Sequence, residues 1–494
     1  MSSDRKKACA NCKRSKVRCI NGQEGSVTQL GELVDGKPCE RCIKLDLECG
    51  WQPAKKTGRP VKRNPSIDIF AAYAKGVPLI DAHGVEETHD LVYYAALSLA
   101  GNLSGDDTSA NRRMMLELAD EAITAQRYDL RCVVGLIYTI HDDYGRNDIT
   151  AAQHHLSYVC SVALGLGLNT PTPNIDPNDR LSLIYGRIWW EIYLVDVLLN
   201  LSTSSQITRQ IPASTHIDVD MSAVATETAM QEAYDGRIKA ALLLSECTRQ
   251  SGRLNFERVE ALDTMILNLA STTQSRYHND PGSAAREMNL MSTMMLLASR
   301  VHLHRQAWFA DMAFNFESCA FGETTSVQEM LQMGCDMFVM PHCNDLDASL
   351  SRSLQAIREA SDLMLQLIRS DQVEQSQSQL VPCHAPPHWP FYTCCQLVAA
   401  YGPVLEIALW NASRDQALQD ATPSALSPSS ENGIWRTRAA LSSIDVSHAT
   451  LSQYSRVWVV AQKHRDEVAL CRNIVDRCGP SGFGGLSGFG GFGL

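Results

Sequence analysis

From about Ile67 to Ala412, apolar residues recur every three to four positions, the spacing that stacks them on one face of an α-helix. No convincing run of alternating apolar and polar residues breaks this pattern, so the chain is read as mostly α. Three segments are specific. Ala151 to Leu164 predicts a helix stopped by Gly165 and Gly167, residues that accept the left-handed turn common after a last helical residue. Leu181 to Leu201 is apolar nearly all round and predicts a central buried helix, with Arg187 and Glu191 at i, i+4 for a partly buried ion pair. Leu350, Leu354, Ile357, Ser361, Met364 and Ile368 form a stripe that predicts a helix facing a core or a partner helix. The polar break and short run speak against a coiled coil.

The pattern also divides the chain. Composition sets residues 1–50 apart as a Cys-rich basic head, and 51–66, WQPAKKTGRPVKRNPS, carry three prolines and five Lys or Arg, which mark a basic linker. A large helical domain spans 67–412 and an exposed polar loop 413–433. Further helices are expected over 434–478, from Ile434 to Cys478, and a low-complexity Gly/Phe tail over 479–494. No run of about 18 apolar residues occurs, so no membrane-spanning segment is expected. The polar start, Met1 to Lys7, is unlike a signal peptide.

Charge changes the picture once it is divided in the same way. The formal net charge of -11 over 494 residues argues against a nucleic-acid partner. Residues 1–65, however, hold 15 basic and 7 acidic side chains, and 66–494 hold 29 and 48, so a head of +8 precedes a body of -19. A basic head on an acidic body suits a polyanionic partner for the head alone.

Six of the 17 cysteines lie in that head. Cys9, Cys12 and Cys19, then Cys39, Cys42 and Cys49, form two copies of C-x(2)-C-x(6)-C. Two residues between cysteines let a tight turn present two thiolates to one metal, and six more return a third by way of a short helix. Two tetrahedral zinc ions need eight ligand positions, so two of the six sulfurs must bridge. By symmetry these are Cys9 and Cys39, each first in its half. Zinc would then replace a hydrophobic core that some fifty residues of this composition cannot build. A single zinc held by two CxxC turns, or a disulfide knot, leaves the repeated x(6) arm unexplained. Between Cys12 and Cys19 runs KRSKVR, four cations in six residues, on a helix of about one and a half turns.

These residues resemble the fungal binuclear zinc cluster transcription factors, whose pattern is C-x(2)-C, a basic run, C, a loop with proline, then C-x(2)-C-x(6)-C; Pro38 stands before Cys39 as the loop proline does. The resemblance implies two zinc ions, double-stranded DNA as partner, a nuclear location and no enzymatic activity. It implies that Lys16 reads the guanines of a CGG triplet from the major groove, the commonest type of specific contact. Lys13, Arg14 and Arg18 would hold phosphates and set register. The loop from Ile20 to Pro38 is longer than usual for that family and carries three acids. In the linker, KKTGRPVKR resembles an AT-hook in part, with Thr57 where its first arginine would be. Lys55, Lys56, Lys62 and Arg63 are expected to track phosphates, and Arg59 is the candidate for minor-groove insertion. The same basic clusters read as a nuclear localisation signal. Zinc cluster proteins often dimerise through a coiled coil after the linker. Ile67 to Gly76 is too short and irregular for one, so a homodimer is an expectation of the resemblance alone.

The body resembles the regulatory, or middle homology, domain of the same factors over about residues 90–310. The matching segments are AAQHHLSYVCSVALGLGL (151–168), YGRIWWEIYLVDVLLNLSTS (185–204) and VHLHR (301–305). ITRQIP (207–212) replaces the usual Gly-Arg-Pro after the Trp-Trp helix. Such a domain implies control of activity and recruitment of transcription machinery or co-regulators. Trp189, Trp190, Tyr193, Asp196 and the methionines Met288, Met291, Met294 and Met295 are read as core before pocket. His154, His155, His302, His304, Cys383, His384, His388, Cys394 and Cys395 lack metal-ligand order. The sequence contains no phosphate loop, dinucleotide fingerprint or nucleophile elbow. The competing class is a helical ligand-binding or catalytic protein whose zinc head serves only as an interaction module.

Overall fold

A computed structural model of the protein describes residues 43–44, 69–70, 79, 90–171, 173–176, 180–202, 228–249, 256–279, 284–309, 348–377, 389–407 and 429–478. The chain forms two compact units, Met1–Asn64 and Pro65–Leu494. In the first, Ile43 and Lys44, directly after Cys42, are helical and exposed.

The described part of the second unit is mostly helical, with no strand among its described residues. Its helices, in chain order, are α1 Asp90–Ser104, α2 Ser109–Thr124, α3 Leu130–Gly145, α4 Ile149–Gly165, α5 Tyr185–Ser202, α6 Thr228–Arg249, α7 Phe256–Asn279, α8 Ala284–Phe309, α9 Ala348–Gln377, α10 Tyr392–Ala399, α11 Ser429–Tyr454 and α12 Val459–Cys478. Helices α1 to α5 pack on one another through α3. Helix α8 lies against α6, α7 and α9, and the α5–α6 contact joins the two groups. Short α10 touches α8, α9, α11 and α12, and α12 reaches back to α3.

Local chemistry explains the ends of these helices. Asp129 and Asp148 cap α3 and α4, their carboxylates accepting from the backbone N–H of Cys132 at 2.8 Å and of Ala151 at 3.2 Å. Helix α4 stops where the sequence predicts: Gly167 has φ +68°, and the Leu168 N–H donates to the Ala163 carbonyl at 2.9 Å. The expected central helix is present as α5, preceded by a 3₁₀ turn over Arg180–Ile184, and it is buried on every side from Gly186 to Leu199. The serine-rich end of the expected polar loop instead starts α11 at Ser429, five residues before Ile434. Serine and glutamate are residue types common in a first helical turn.

Close approaches fix how the helices meet. A β-carbon on Gly145 would stand 2.4 Å from the Trp458 ring, so glycine there lets the tryptophan preceding α12 seat against the end of α3. The stripe on α9 faces the core, with Ile357, Ser361, Met364 and Ile368 buried. Its polar member is explained by the neighbouring chain: Ser361 Oγ accepts the Gly402 N–H at 3.2 Å, and a β-carbon on Gly402 would lie 2.4 Å from that oxygen.

Candidate functional site

Deep in the body, α5, α6 and the segment entering α10 bring three charged side chains together. Arg187 and Glu191 lie one turn apart on α5, and Arg237 projects from α6; each is no more than 1% exposed. Glu191 accepts from Arg237 Nη2 and from the Tyr234 hydroxyl, both at 2.9 Å. The pair expected within α5 is thus fully buried, and the hydrogen bonds to Glu191 come from α6, while Arg187 acts on it through charge. Burial pushes the Glu191 carboxyl up, against the opposing pull of Arg237, the Tyr234 hydroxyl and Arg187.

The Arg237 guanidinium lies 3.8 Å from the centre of the Trp389 ring, within cation–π range. Trp389 and Phe391 also clasp α3: His141 meets both edge-on at 5.4 Å, and Tyr144 stacks on Phe391 at 4.0 Å. His141 is fully buried, and desolvation, aided by the Arg237 charge, brings it down to about 3, so it is neutral. Beside this cluster opens a pocket lined by Arg237, Glu287, Met288, Leu290, Met291, Trp389 and Tyr392. It contains about 300 Å³ of unfilled space including its mouth.

A second polar centre ties α1, α2, α3 and α4 together. Asp142 accepts from Ser98 Oγ at 3.0 Å, Asn102 Nδ2 at 2.6 Å and Arg146 Nε at 3.0 Å. Asp143 accepts from Arg112 Nη2 at 2.9 Å and lies 2.8 Å from His155 Nδ1. Both carboxylates are buried and multiply bonded, which makes the cluster a scaffold for the four helices. Burial raises the Asp143 carboxyl, partly opposed by His155 and Arg112.

A third chain joins α7, α8 and α9. His304 places Nε2 3.1 Å from Asp263 Oδ1 and Nδ1 3.2 Å from Ser353 Oγ, and Arg300 Nε grips Asp263 at 2.7 Å. Burial alone would raise Asp263, but hydrogen bonds from His304 and Arg300, and their charge, hold it below its ordinary value. The order Ser–His–Asp is that of a nucleophilic relay. Here the serine sits inside α9, and the contacts tie the three helices together. Burial also pushes the Cys132 and Cys247 thiols up to about 12 and Cys160 higher still, which favours the protonated thiol.

The expected zinc ligands Cys9, Cys12, Cys19, Cys39, Cys42 and Cys49 lie outside the described residues, as do the basic residues Lys13, Arg14, Lys16, Arg18, Lys55, Lys56, Arg59, Lys62 and Arg63. So do Cys383, His384, His388 and the segment ITRQIP. Among the described residues no three His, Cys, Asp or Glu side chains converge as a metal site, and no helix is long and apolar enough to cross a membrane. Trp189, Trp190, Tyr193 and Asp196 are buried as core, with the Tyr193 hydroxyl donating to Ser245 Oγ at 2.9 Å. All four methionines of α8 are buried, and Met288 and Met291 also line the pocket. Arg237, Trp389 and Tyr392 had no sequence signal beyond position in helical or Pro-rich segments. Comparison of the chain with protein-family models, curated proteins and solved structures finds no match.

Proposed function

We propose that this protein is a zinc-dependent, sequence-specific DNA-binding transcription regulator, not an enzyme, that acts in the nucleus. The observation that carries the reading is the duplicated C-x(2)-C-x(6)-C with KRSKVR set between Cys12 and Cys19. Six thiolates, with Cys9 and Cys39 shared, hold two zinc ions, and the metal crosslink supplies the rigidity that so short a segment lacks. The first arm then presents its cations on one short helix. Lys16 donates to guanine O6 and N7 of a CGG-type site, Lys13, Arg14 and Arg18 neutralise phosphates, and the linker cations Lys55, Lys56, Arg59, Lys62 and Arg63 extend the footprint.

The acidic helical body controls activity and recruits co-regulators or transcription machinery. It acts as an activator of RNA polymerase II, with a biosynthetic gene cluster as the type of target, and homodimerisation would set half-site spacing. The test is a gel shift of the full chain on a CGG-bearing duplex, with zinc measured by elemental analysis. Two zinc ions per chain are expected, with binding lost on chelation. Lys16→Ala should weaken the specific complex by roughly tenfold to a hundredfold, the worth of one good base contact. Binding that is indifferent to zinc or to Lys16 would overturn the reading.

A further inference from the structure

We infer that two copies of this chain pair through the outer face of α7, antiparallel about a two-fold axis near Asn268. Ala261, Thr264, Met265, Asn268, Thr272 and Ser275 recur every three or four residues along that face, and all are exposed. No ionic side chain occurs from Thr264 to Ser275. The outer faces of α2 and α9, by contrast, expose Arg113, Glu117 and Asp120, and Arg352, Glu359 and Asp362. Met265 and Leu267 are 55% and 37% exposed, and α7 is alone among the described helices in exposing two large apolar side chains. Burying such a face removes apolar surface from water at little cost in desolvated charge.

Charge favours a second copy as the occupant. Elsewhere the acidic body, at -19, repels its own like. Around α7 the cations are matched by carboxylates: Arg258 meets Glu246 at 3.0 Å, Arg352 meets Glu260 at 3.3 Å and Arg276 meets Glu232 at 2.9 Å. The first turn of α7 carries Glu257 and the last carries Arg276 and His278. Antiparallel pairing sets the acidic turn of each copy beside the basic turn of the other and opposes the two helix dipoles. Polar atoms on the strip also suit self-pairing. The Thr264 and Thr272 hydroxyls donate to carbonyls of their own helix, Glu260 at 2.8 Å and Asn268 at 2.9 Å, so contact leaves neither donor unsatisfied. Near a two-fold axis the Asn268 amide can donate to and accept from its own copy, as no carboxylate or ammonium can. This surface would serve the homodimer of a DNA-binding regulator, yet it needs neither zinc nor DNA to form.

Sedimentation equilibrium of the full chain without DNA tests the pairing. A reversible rise from 54.5 kDa toward twice that mass is expected as concentration increases. Met265→Glu and Asn268→Asp each bring like charges from both copies into the contact and should raise the dimer dissociation constant at least tenfold. Val373→Glu adds the same charge to an exposed position of α9 and should leave that constant unchanged. All three positions are exposed, and circular dichroism checks that the variants keep their helix content. A wild-type chain that stays monomeric would overturn the inference and leave the face to a different partner. A dimer indifferent to both folded α7 variants, or weakened equally by Val373→Glu, would overturn it as well. Lys16→Ala, the variant that tests DNA reading, should leave the dimer intact, so the two proposals can fail separately.

Discussion

Glu191 shows what a single buried charge demands of its surroundings. Its carboxylate is fully enclosed, and its stability depends on Arg237 and Tyr234 arriving from a different helix. Removing only Arg237 takes away the cation hydrogen-bonded to the carboxylate, and removing Glu191 as well would leave Arg187 buried without it, so an apolar contact needs all three charges replaced. Arg237→Met is therefore expected to destabilise the body by about 3 to 5 kcal/mol, and adding both Glu191→Leu and Arg187→Met should recover much of that loss. Chemical denaturation of the wild type, the Arg237→Met variant and the triple variant checks this; equal cost for the two variants would refute the stranded-charge argument. In sequence, Glu191 looked paired with Arg187 because four residues along a helix face is the one proximity a linear chain reveals. Arg237 lies 46 positions away, a distance only folding closes.

Among the elements, α9 separates what periodicity shows from what it omits. The three-to-four spacing of Leu354, Ile357, Met364 and Ile368 marked the buried face correctly. Ser361 read as a polar break in that face. Packing reverses its meaning, because the Gly402 backbone approaches so closely that a small hydroxyl both fits and accepts its N–H. Ser361→Leu, which would perfect the apolar stripe, should consequently destabilise the protein by roughly 1 to 3 kcal/mol through overpacking and loss of the hydrogen bond. Gly402→Ala should act in the same direction, since its new methyl group meets Ser361. Urea midpoints for the two variants check this, and a stabilised Ser361→Leu would show that the stripe, not the contact, decides. The early start of α11 was missed for a related reason: serines and glutamate suit loops and helix first turns alike.

For the whole molecule, buried histidines couple folding to pH. His141 and His464 are both held down to about 3 from an ordinary 6.5, chiefly by desolvation. Below pH 6.5 the unfolded chain takes up protons that the folded chain refuses, so this contribution to stability is intact above 6.5 and is lost as pH falls toward 3. For His141 alone the loss between pH 7 and 5 should be about 2 kcal/mol. His141→Phe keeps a ring between Trp389 and Phe391 and removes that proton site. Its stability should fall less than that of the wild type by about this amount, measured by denaturant unfolding at the two pH values; parallel losses would rule out His141 as the titrating group.

Sequence by itself determined the helical character of the body, the stop of α4 at its glycines and the burial of α5. Each follows from residues near one another in the chain, through side-chain period, backbone freedom of glycine or apolar content. The paired cysteine motif and the opposition of a +8 head to a -19 body are likewise properties of the chain alone, and the functional proposal rests on them. Tertiary structure decided the rest. It chose which charges meet, turned Ser361 from a flaw into a fit, and assembled a pocket from α6, α8 and the approach to α10. Such juxtapositions depend on how helices far apart in the chain pack, and no local pattern encodes the partner that packing brings to a buried charge.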